Sequence, residues 1–171
     1  MGHDYYGFGE VTVFESYDDE AFAIGDLTSI YTNSLSSMRG IMLTDNHQSA
    51  IIRDEIRTAE NSEIYWLMQT PATIDIVDGD TAILSLNGKQ VQFDFITNAP
   101  GAELLSMKAE PLPTSPNPEG QNPNEGVNKI AIHIPSASNI DITVRITPVG
   151  DAAASKPIAD RPLDTWSRAG K

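Results

Sequence analysis

Apolar and polar residues alternate along several short stretches of this chain, with the period of two that is typical of β-strands. The stretch from Gln48 to Thr97 has the clearest pattern and predicts four or five consecutive antiparallel strands. Its last two strands meet at Asn87-Gly88, a dipeptide that favours a type I′ hairpin turn. In the return strand, Val91, Phe93 and Phe95 share one face and polar residues occupy the other. This pattern indicates a meander with one buried face and one solvated face.

Shorter runs on either side of this stretch continue the strand pattern. The chain contains 11 Pro and 12 Gly residues, many of them between short apolar runs, which favours a sandwich over a helical fold. The sequence therefore predicts an all-β fold, an antiparallel β-sandwich of two packed sheets with about 10–12 strands and little helix. The further strands are expected at residues 10–16, 21–24, 38–43, 103–109, 127–134 and 140–146.

The length of 171 residues suits one domain with a substantial core. Residues 111–126 are rich in Pro, a composition found in flexible linkers as well as in loops. Because strand patterns resume after it, we interpret this segment as a loop within a single domain of residues 1–148. Residues 149–171 are expected to form a C-terminal tail with Trp166 as its anchor. Asp26 to Tyr31 fits either a short helical turn capped by Asp26 or a loop.

The net charge of −13, from 24 acidic and 11 basic residues, argues against nucleic acid as a partner, since such a surface repels phosphates. The absence of Cys excludes disulfides, thiolate catalysis and cysteine metal sites. No apolar run reaches the roughly 18 residues that a membrane span requires. No secretion signal opens the chain, which fits a cytosolic protein as well as a fragment of a longer precursor.

The residue types that most often act in catalysis form no recognisable pattern. His3, His47 and His133 lack the spacing of a metal-binding pair, and the nucleophile elbow, the P-loop and the dinucleotide-binding glycine pattern are absent. We therefore expect no catalytic residue, no metal and no cofactor. Arg53 and Arg57, which lie beside two acidic residues, are interpreted as members of cross-strand ion pairs on a solvated face.

Two adjacent aromatic residues, Tyr65 and Trp66, must point to opposite faces of their strand. One of them therefore belongs to the core. The other has two interpretations: an exposed aromatic that stacks on a sugar ring, or a residue that packs in the core or at an interface.

Several short pieces of the chain form an ordered series between Gly9 and Pro148. They are Gly9–Glu15, Gly25–Tyr31, Arg39 leading to Ile51–Ile56, Tyr65–Ala72, Asp80–Leu84 and Pro111–Pro118. In its order and spacing, the series resembles the C-terminal β-sheet region of heparinase II/III-like polysaccharide lyases, especially those of Bacteroides-type bacteria. The resemblance covers most of the chain.

The resemblance implies a parent enzyme in which an N-terminal α/α toroid is joined to β-sandwich layers. Such enzymes cleave acidic polysaccharides by β-elimination, in which a base removes the C5 proton of a uronic acid and an acid protonates the leaving oxygen. The family places its tyrosine and its carboxylate neutraliser on the toroid, and its histidine in a motif that this sequence lacks. Members of the family often have a histidine after the Trp-containing strand, and this chain has Gln69 at that position. The chain is thus expected to be a non-catalytic module that supports the toroid, its missing partner domain.

The resemblance also implies an acidic polysaccharide as a partner and a periplasmic or secreted location. Asp26, Tyr31 and Arg39 are candidates for the substrate cleft or an interdomain surface, because they lie in or beside the least regular segment. Trp66 is a further candidate for such a contact. Two other functions stay open: an independent carbohydrate-binding module, which needs a row of exposed aromatic rings, and a purely structural sandwich domain.

Overall fold

The computed structural model describes residues 4–113, 115–151 and 156–168. These residues form nine strands and two short 3₁₀ turns, at Thr28–Ile30 and Leu163–Thr165. The strands are β1 (Glu10–Ser16), β2 (Ala21–Asp26), β3 (Ser34–Thr44), β4 (Ser49–Thr70), β5 (Thr73–Ile76), β6 (Thr81–Leu86), β7 (Lys89–Thr97), β8 (Glu103–Lys108) and β9 (Asn128–Pro148). The prediction of an all-β fold with little helix is confirmed. Within the described ranges, no helix has the length and apolar character that crossing a bilayer requires.

The strands belong to one hydrogen-bonded antiparallel sheet. Their order is β1-β2-β3-β4-β9-β7-β6-β5, and β8 also pairs with β9. The predicted β6–β7 hairpin is present, with the positive φ angles of 50° at Asn87 and 75° at Gly88 that a type I′ turn needs. The prediction of consecutive pairing from Gln48 to Thr97 is wrong at its start, because β4 pairs with β3 and β9 instead of β5.

Two long strands create the two layers of the sandwich. β4 has 22 residues and β9 has 21, and each joins two runs that the sequence pattern predicts as separate strands. The β4–β9 register shifts between Arg57 and Ile64, and irregularities of this kind bend strands sharply. The second half of β4 therefore turns back over the sheet, so that Trp66 packs against Phe93 of β7 with ring centroids 5.9 Å apart. The two layers are thus halves of one bent sheet.

The main core fills the space between these layers. β9 contributes to it on both sides of its bend, through the fully buried residues Ile130, Ile132, Ile134, Ile140, Ile142 and Val144. Burial of one aliphatic side chain of this size stabilises the fold by about 1.5–3 kcal/mol. The central strand of the sheet is therefore also the main apolar element of the core.

A second, smaller core lies on the outer face of β2 and β3. Here the C-terminal segment (residues 156–168) returns to the sheet, and Trp166 packs against Phe22 and Met42. The Trp166 and Phe22 rings meet edge to face, with centroids 5.7 Å apart. Trp166 thus anchors this segment. The domain boundary at residue 148 stays a prediction.

Candidate functional site

The inner face of the sheet extends beyond the main core and is open over β1, β2 and β3. Phe14, Ala23 and Ile41 are aligned with Ile52 in one cross-strand row, and Ile52 still packs against the main core. From Ile52 toward β1, the described residues do not cover this row, since Ile41 is 50% exposed and Phe14 is 71% exposed. Leu43 lies two residues further along the same face of β3 and is 45% exposed.

We call this surface, formed by Val11, Phe14, Ala23, Ile41 and Leu43, the β1–β3 apolar face. Val11 belongs to it because it pairs with Gly25, which in turn pairs with Arg39 on the same side of the sheet. Contiguous exposed apolar side chains on a folded domain mark interaction sites. The arrangement suits the docking of another apolar surface, such as a second domain.

The sequence of β3 contains a signal for this surface. The run Ile41–Leu43 is continuously apolar, which is typical of a strand that is buried on both faces. The C-terminal segment covers one face, where Gly40 lies under Trp166 and Leu163. Ile41 and Leu43 point to the other face, which the described residues leave open. The C-terminal end of β3 therefore has the composition of a strand covered on both sides.

An ion pair borders the β1–β3 apolar face. Arg39 donates two hydrogen bonds to the Asp54 carboxylate, at 2.7 Å from Nε and 3.0 Å from Nη2. Asp54 also accepts a 2.8 Å hydrogen bond from Nε1 of Trp66. Burial opposes the charge of Arg39, but the hydrogen bonds and charge of Asp54 outweigh this effect and raise the pKa of Arg39. Since 39% of the Arg39 side chain is exposed, a fixed positive charge is presented at this edge.

The structure places the other candidates from the sequence as follows. Asp26 ends β2 and accepts a 2.8 Å hydrogen bond from the backbone N–H of Thr28. The helical-turn alternative is confirmed at Thr28–Ile30, but Leu27 occupies the N-cap position, so the prediction of Asp26 as the cap is wrong. Hydrogen bonds from the Thr28 side chain and backbone lower the pKa of Asp26. Tyr31 is half-buried at the end of the same turn and is near enough to interact electrostatically with Arg39. Asp26 is thus a turn-forming residue, and Tyr31 lies close to the exposed cation.

Trp66 is only 6% exposed, so its indole packs and forms a hydrogen bond within the core. The expected contact of Trp66 with a substrate or a second domain does not fit this buried position. Its neighbour Tyr65 takes the outer face, where it stacks on His133 with centroids 4.4 Å apart. Nε2 of His133 lies 2.9 Å from Oε1 of Glu63. Burial, followed by the Glu63 charge, raises the pKa of Tyr65. Tyr65 and Trp66 therefore form no common platform for sugar stacking. Tyr5 and Tyr6 are exposed, but their rings are not coplanar and meet at 90°.

The face of β4 that carries Arg53 is predicted to be solvated, but the C-terminal segment covers it. Arg53 is buried beneath the C-terminal segment, where it bonds to Glu55 at 2.7 Å and to Asp160 at 2.5 Å. The cross-strand pair predicted for Arg57 is present at 2.8 Å from Asp141. The sequence pattern could not reveal this burial, because the covering residues come from the end of the chain.

His47 and His133, the two histidines that the structure describes, belong to no group of three metal-binding side chains. His47 is exposed in the β3–β4 turn, His133 is occupied by Tyr65 and Glu63, and His3 lies outside the described residues. In the part of the chain that the structure describes, no group of three or more His, Asp or Glu side chains could hold a metal ion. The main chemical features are therefore the β1–β3 apolar face and its ion pair.

Comparison with known proteins finds similarity in structure and none in sequence. No protein-family model matches the chain, and no curated protein sequence matches it. Among solved structures, the chain is similar to a heparinase III described as the BT4657 gene product, with a TM-score of 0.61 and 13% identity over 85% of this chain. It is also similar to the heparan sulfate lyase HepC of Pedobacter heparinus, with a TM-score of 0.58 and 12% identity over 82% of this chain.

The similarity is one of fold. At these identities it shows that the chain shares the architecture of one part of each lyase. The chain spans only 22% of the heparinase III chain and 21% of the HepC chain, so most of each neighbour has no counterpart here. The resemblance found in the ordered sequence pieces therefore agrees with the structural neighbours.

Proposed function

We propose that this chain is a non-catalytic β-sandwich module of a heparinase II/III-like polysaccharide lyase, and that its β1–β3 apolar face docks the helical toroid domain of the same polypeptide. The observation that carries this proposal is the open apolar face on a sheet with the fold of one part of such lyases. The small share of each neighbour that the chain spans supports a larger parent protein.

The energetics of the β1–β3 apolar face favour an intramolecular partner. Complete burial of Phe14, Ile41 and Leu43 is worth about 1.5–3 kcal/mol for each side chain, reduced here because all three are already partly covered. A total of this size is modest for association between separate molecules, which lose translational and rotational freedom. A domain in the same chain avoids most of that loss through its high effective concentration.

Arg39 gives this surface a role beside the substrate cleft. Its guanidinium is oriented by Asp54 and partly exposed, so it can meet a carboxylate of an acidic polysaccharide at the border of the docked domain. The net charge of −13 makes the module as a whole a poor binder of polyanions. We therefore assign it a supporting role in a periplasmic or secreted enzyme, with β-elimination carried out by groups of the toroid.

A pair of matched variants tests the docking. Ile41→Lys and Leu86→Lys each replace a partly exposed apolar residue, on the β1–β3 apolar face and on the distant β6–β7 hairpin. In the isolated chain, we expect both to change the free energy of unfolding by less than about 1 kcal/mol. In the polypeptide encoded by the complete reading frame, Ile41→Lys should lower Tm and lyase activity, whereas Leu86→Lys should not.

The proposal fails if the complete reading frame encodes no further domain, or if both variants behave alike in the complete protein. A strong ultraviolet signal from unsaturated uronide, produced by the isolated chain on an acidic glycan, would contradict the non-catalytic role.

A further inference from the structure

A pocket lies between the outer face of the sheet and the C-terminal segment. Its volume is about 180 Å³, somewhat more than the ~150 Å³ of an apolar cavity that accommodates benzene. Met42, Ile51 and Trp166 line one side, and residues 157–159 of the C-terminal segment line the other. The pocket therefore has space for one six-membered ring with a substituent and offers that ring apolar contacts.

The electrostatic character of this pocket differs from that of the protein as a whole. Its lining includes three cationic side chains, Arg145, Lys156 and Arg161, and one carboxylate, Asp45. The whole chain has only 11 basic residues and a net charge of −13. Asp94 neutralises Arg145 at 2.8 Å, and Glu20 lies 3.7 Å from Arg161. The Lys156 ammonium and the outer edge of the Arg161 guanidinium are therefore the groups that would attract an anion to this pocket.

Two of these cations retain hydrogen-bonding capacity. Nη1 of Arg161 lies 3.7 Å from Oε2 of Glu20, which is beyond normal hydrogen-bonding distance. The Lys156 side chain makes no hydrogen bond or ion pair with the described residues. A carboxylate placed between them could accept charge-assisted hydrogen bonds, which are stronger than neutral ones.

The backbone beside these donors is held in place. Nη1 of Arg145 donates a 2.7 Å hydrogen bond to the Lys156 carbonyl, and Nη2 of the same guanidinium bonds to Asp94 at 2.8 Å. On the other side, the backbone N–H of Leu163 donates a 2.9 Å hydrogen bond to Oε1 of Glu55 in β4, and Nε1 of Trp166 donates a 3.1 Å hydrogen bond to the Arg161 carbonyl. The Lys156 and Arg161 side chains are therefore carried by a segment that is bonded to the sheet on both sides of them, which reduces the entropic cost of binding.

We propose that this pocket is a binding site for a ring-sized organic carboxylate. The ring packs against Trp166 and Ile51, and the carboxylate accepts hydrogen bonds from Lys156 and Arg161. The apolar lining selects against small hydrated anions, and the cations select against neutral rings. This site lies on the opposite side of β3 from the β1–β3 apolar face, so it is independent of the proposed docking.

A titration of the isolated chain with three probes tests the proposal. Benzoate carries both the ring and the carboxylate, benzamide is its neutral counterpart of the same shape, and acetate supplies the carboxylate without the ring. Binding is followed by NMR through the indole N–H of Trp166 and the backbone amides of Lys156 and residues 158–161. We expect benzoate to saturate with a Kd on the order of 1 mM or tighter, and benzamide and acetate to bind at least about tenfold more weakly.

Variants then locate the site. Lys156→Gln and Arg161→Gln should each weaken benzoate binding by about tenfold or more, since a hydrogen bond to a charged group is lost. Lys89→Gln, on the exposed start of β7, should leave binding unchanged, and an unaltered Trp166 indole signal in each variant shows that the segment stays docked. Equal binding of benzoate and benzamide, or equal effects of the Lys156 and Lys89 changes, would overturn the proposal.

Discussion

Nε1 of Trp66 donates a 2.8 Å hydrogen bond to Oδ2 of Asp54, twelve positions earlier in the same strand. In a straight strand these residues would be roughly 40 Å apart, at about 3.3 Å per residue. The contact is possible only because β4 turns back on itself at its register shift. The same carboxylate binds Arg39, so one buried acid links the bend, the core and the exposed cation.

Replacement of Asp54 is therefore expected to be costly. Asp54→Ala leaves the Trp66 indole N–H without its acceptor and Arg39 without its counter-ion, and we expect a loss of about 3 kcal/mol in the free energy of unfolding. Trp66→Phe removes the donor alone and should cost less, about 1–2 kcal/mol. Chemical denaturation measures both.

Asp75→Ala, on the exposed edge strand β5, is the control and should change the free energy of unfolding by less than about 0.5 kcal/mol. A loss at Asp54 no greater than that at Asp75 would contradict the role of the buried network.

The close approach of the C-terminal segment to β3 gives a second prediction. A Cβ at Gly40 would lie 2.4 Å from Cδ2 of Leu163 and 2.6 Å from Cζ3 of Trp166. Gly40→Ala should therefore displace the segment at a cost of about 2 kcal/mol, seen as faster hydrogen exchange of the Trp166 indole N–H. Gly79→Ala is the matched control, because nothing lies within 4 Å of its Cβ position. Equal exchange rates in the two variants would refute the close packing.

Acidification should release the end of the C-terminal segment. Hydrogen bonds from Ser167 and Tyr17 lower the pKa of Glu15 below its ordinary value of 4.5, and a hydrogen bond from Arg168 lowers the pKa of Asp19 below 3.8. A group with a lowered folded-state pKa contributes stability at neutral pH that is lost as the pH falls through that pKa. The segment should thus stay docked above pH 4.5 and detach progressively at lower pH.

The pH dependence of the Trp166 indole signal measures this release, and the core indole of Trp66 provides an internal reference. Arg168→Gln should make the segment detach at a higher pH, because the partner of Asp19 is lost. An indole signal from Trp166 that is constant down to the pH at which the whole domain unfolds would show that these acids do not hold the segment.

The sequence predicts the local part of this structure well and the long-range part poorly. The hairpin at Asn87-Gly88 follows from two residues whose backbone preference is known. The continuity of β4 and β9 could not be predicted, since alternation with a period of two is the same in two separate strands and in one bent strand. Their pairing joins distant positions, as in the bond from Arg53 to Thr143, which are 90 positions apart.

The sequence likewise predicts the local features of the candidate site but not its long-range contacts. The sequence indicates Arg39 because this residue borders an irregular segment, whereas its partner Asp54 belongs to a charged run that is typical of a solvated surface. Of the adjacent pair Tyr65 and Trp66, the sequence requires one in the core but does not say which. The apolar run in β3 is typical of a strand covered on both faces. The described residues leave its second face open, and an apolar pattern alone does not identify a partner for that face.

The most direct test of the docking proposal is hydroxyl-radical footprinting of Leu43 and Leu86. These residues have nearly equal exposure in this chain, 45% and 43%, but only Leu43 lies on the β1–β3 apolar face. The isolated chain should be labelled equally at both. In the polypeptide encoded by the complete reading frame, we expect labelling of Leu43 to fall severalfold while labelling of Leu86 is unchanged. Equal labelling of the two leucines in that protein would contradict the account.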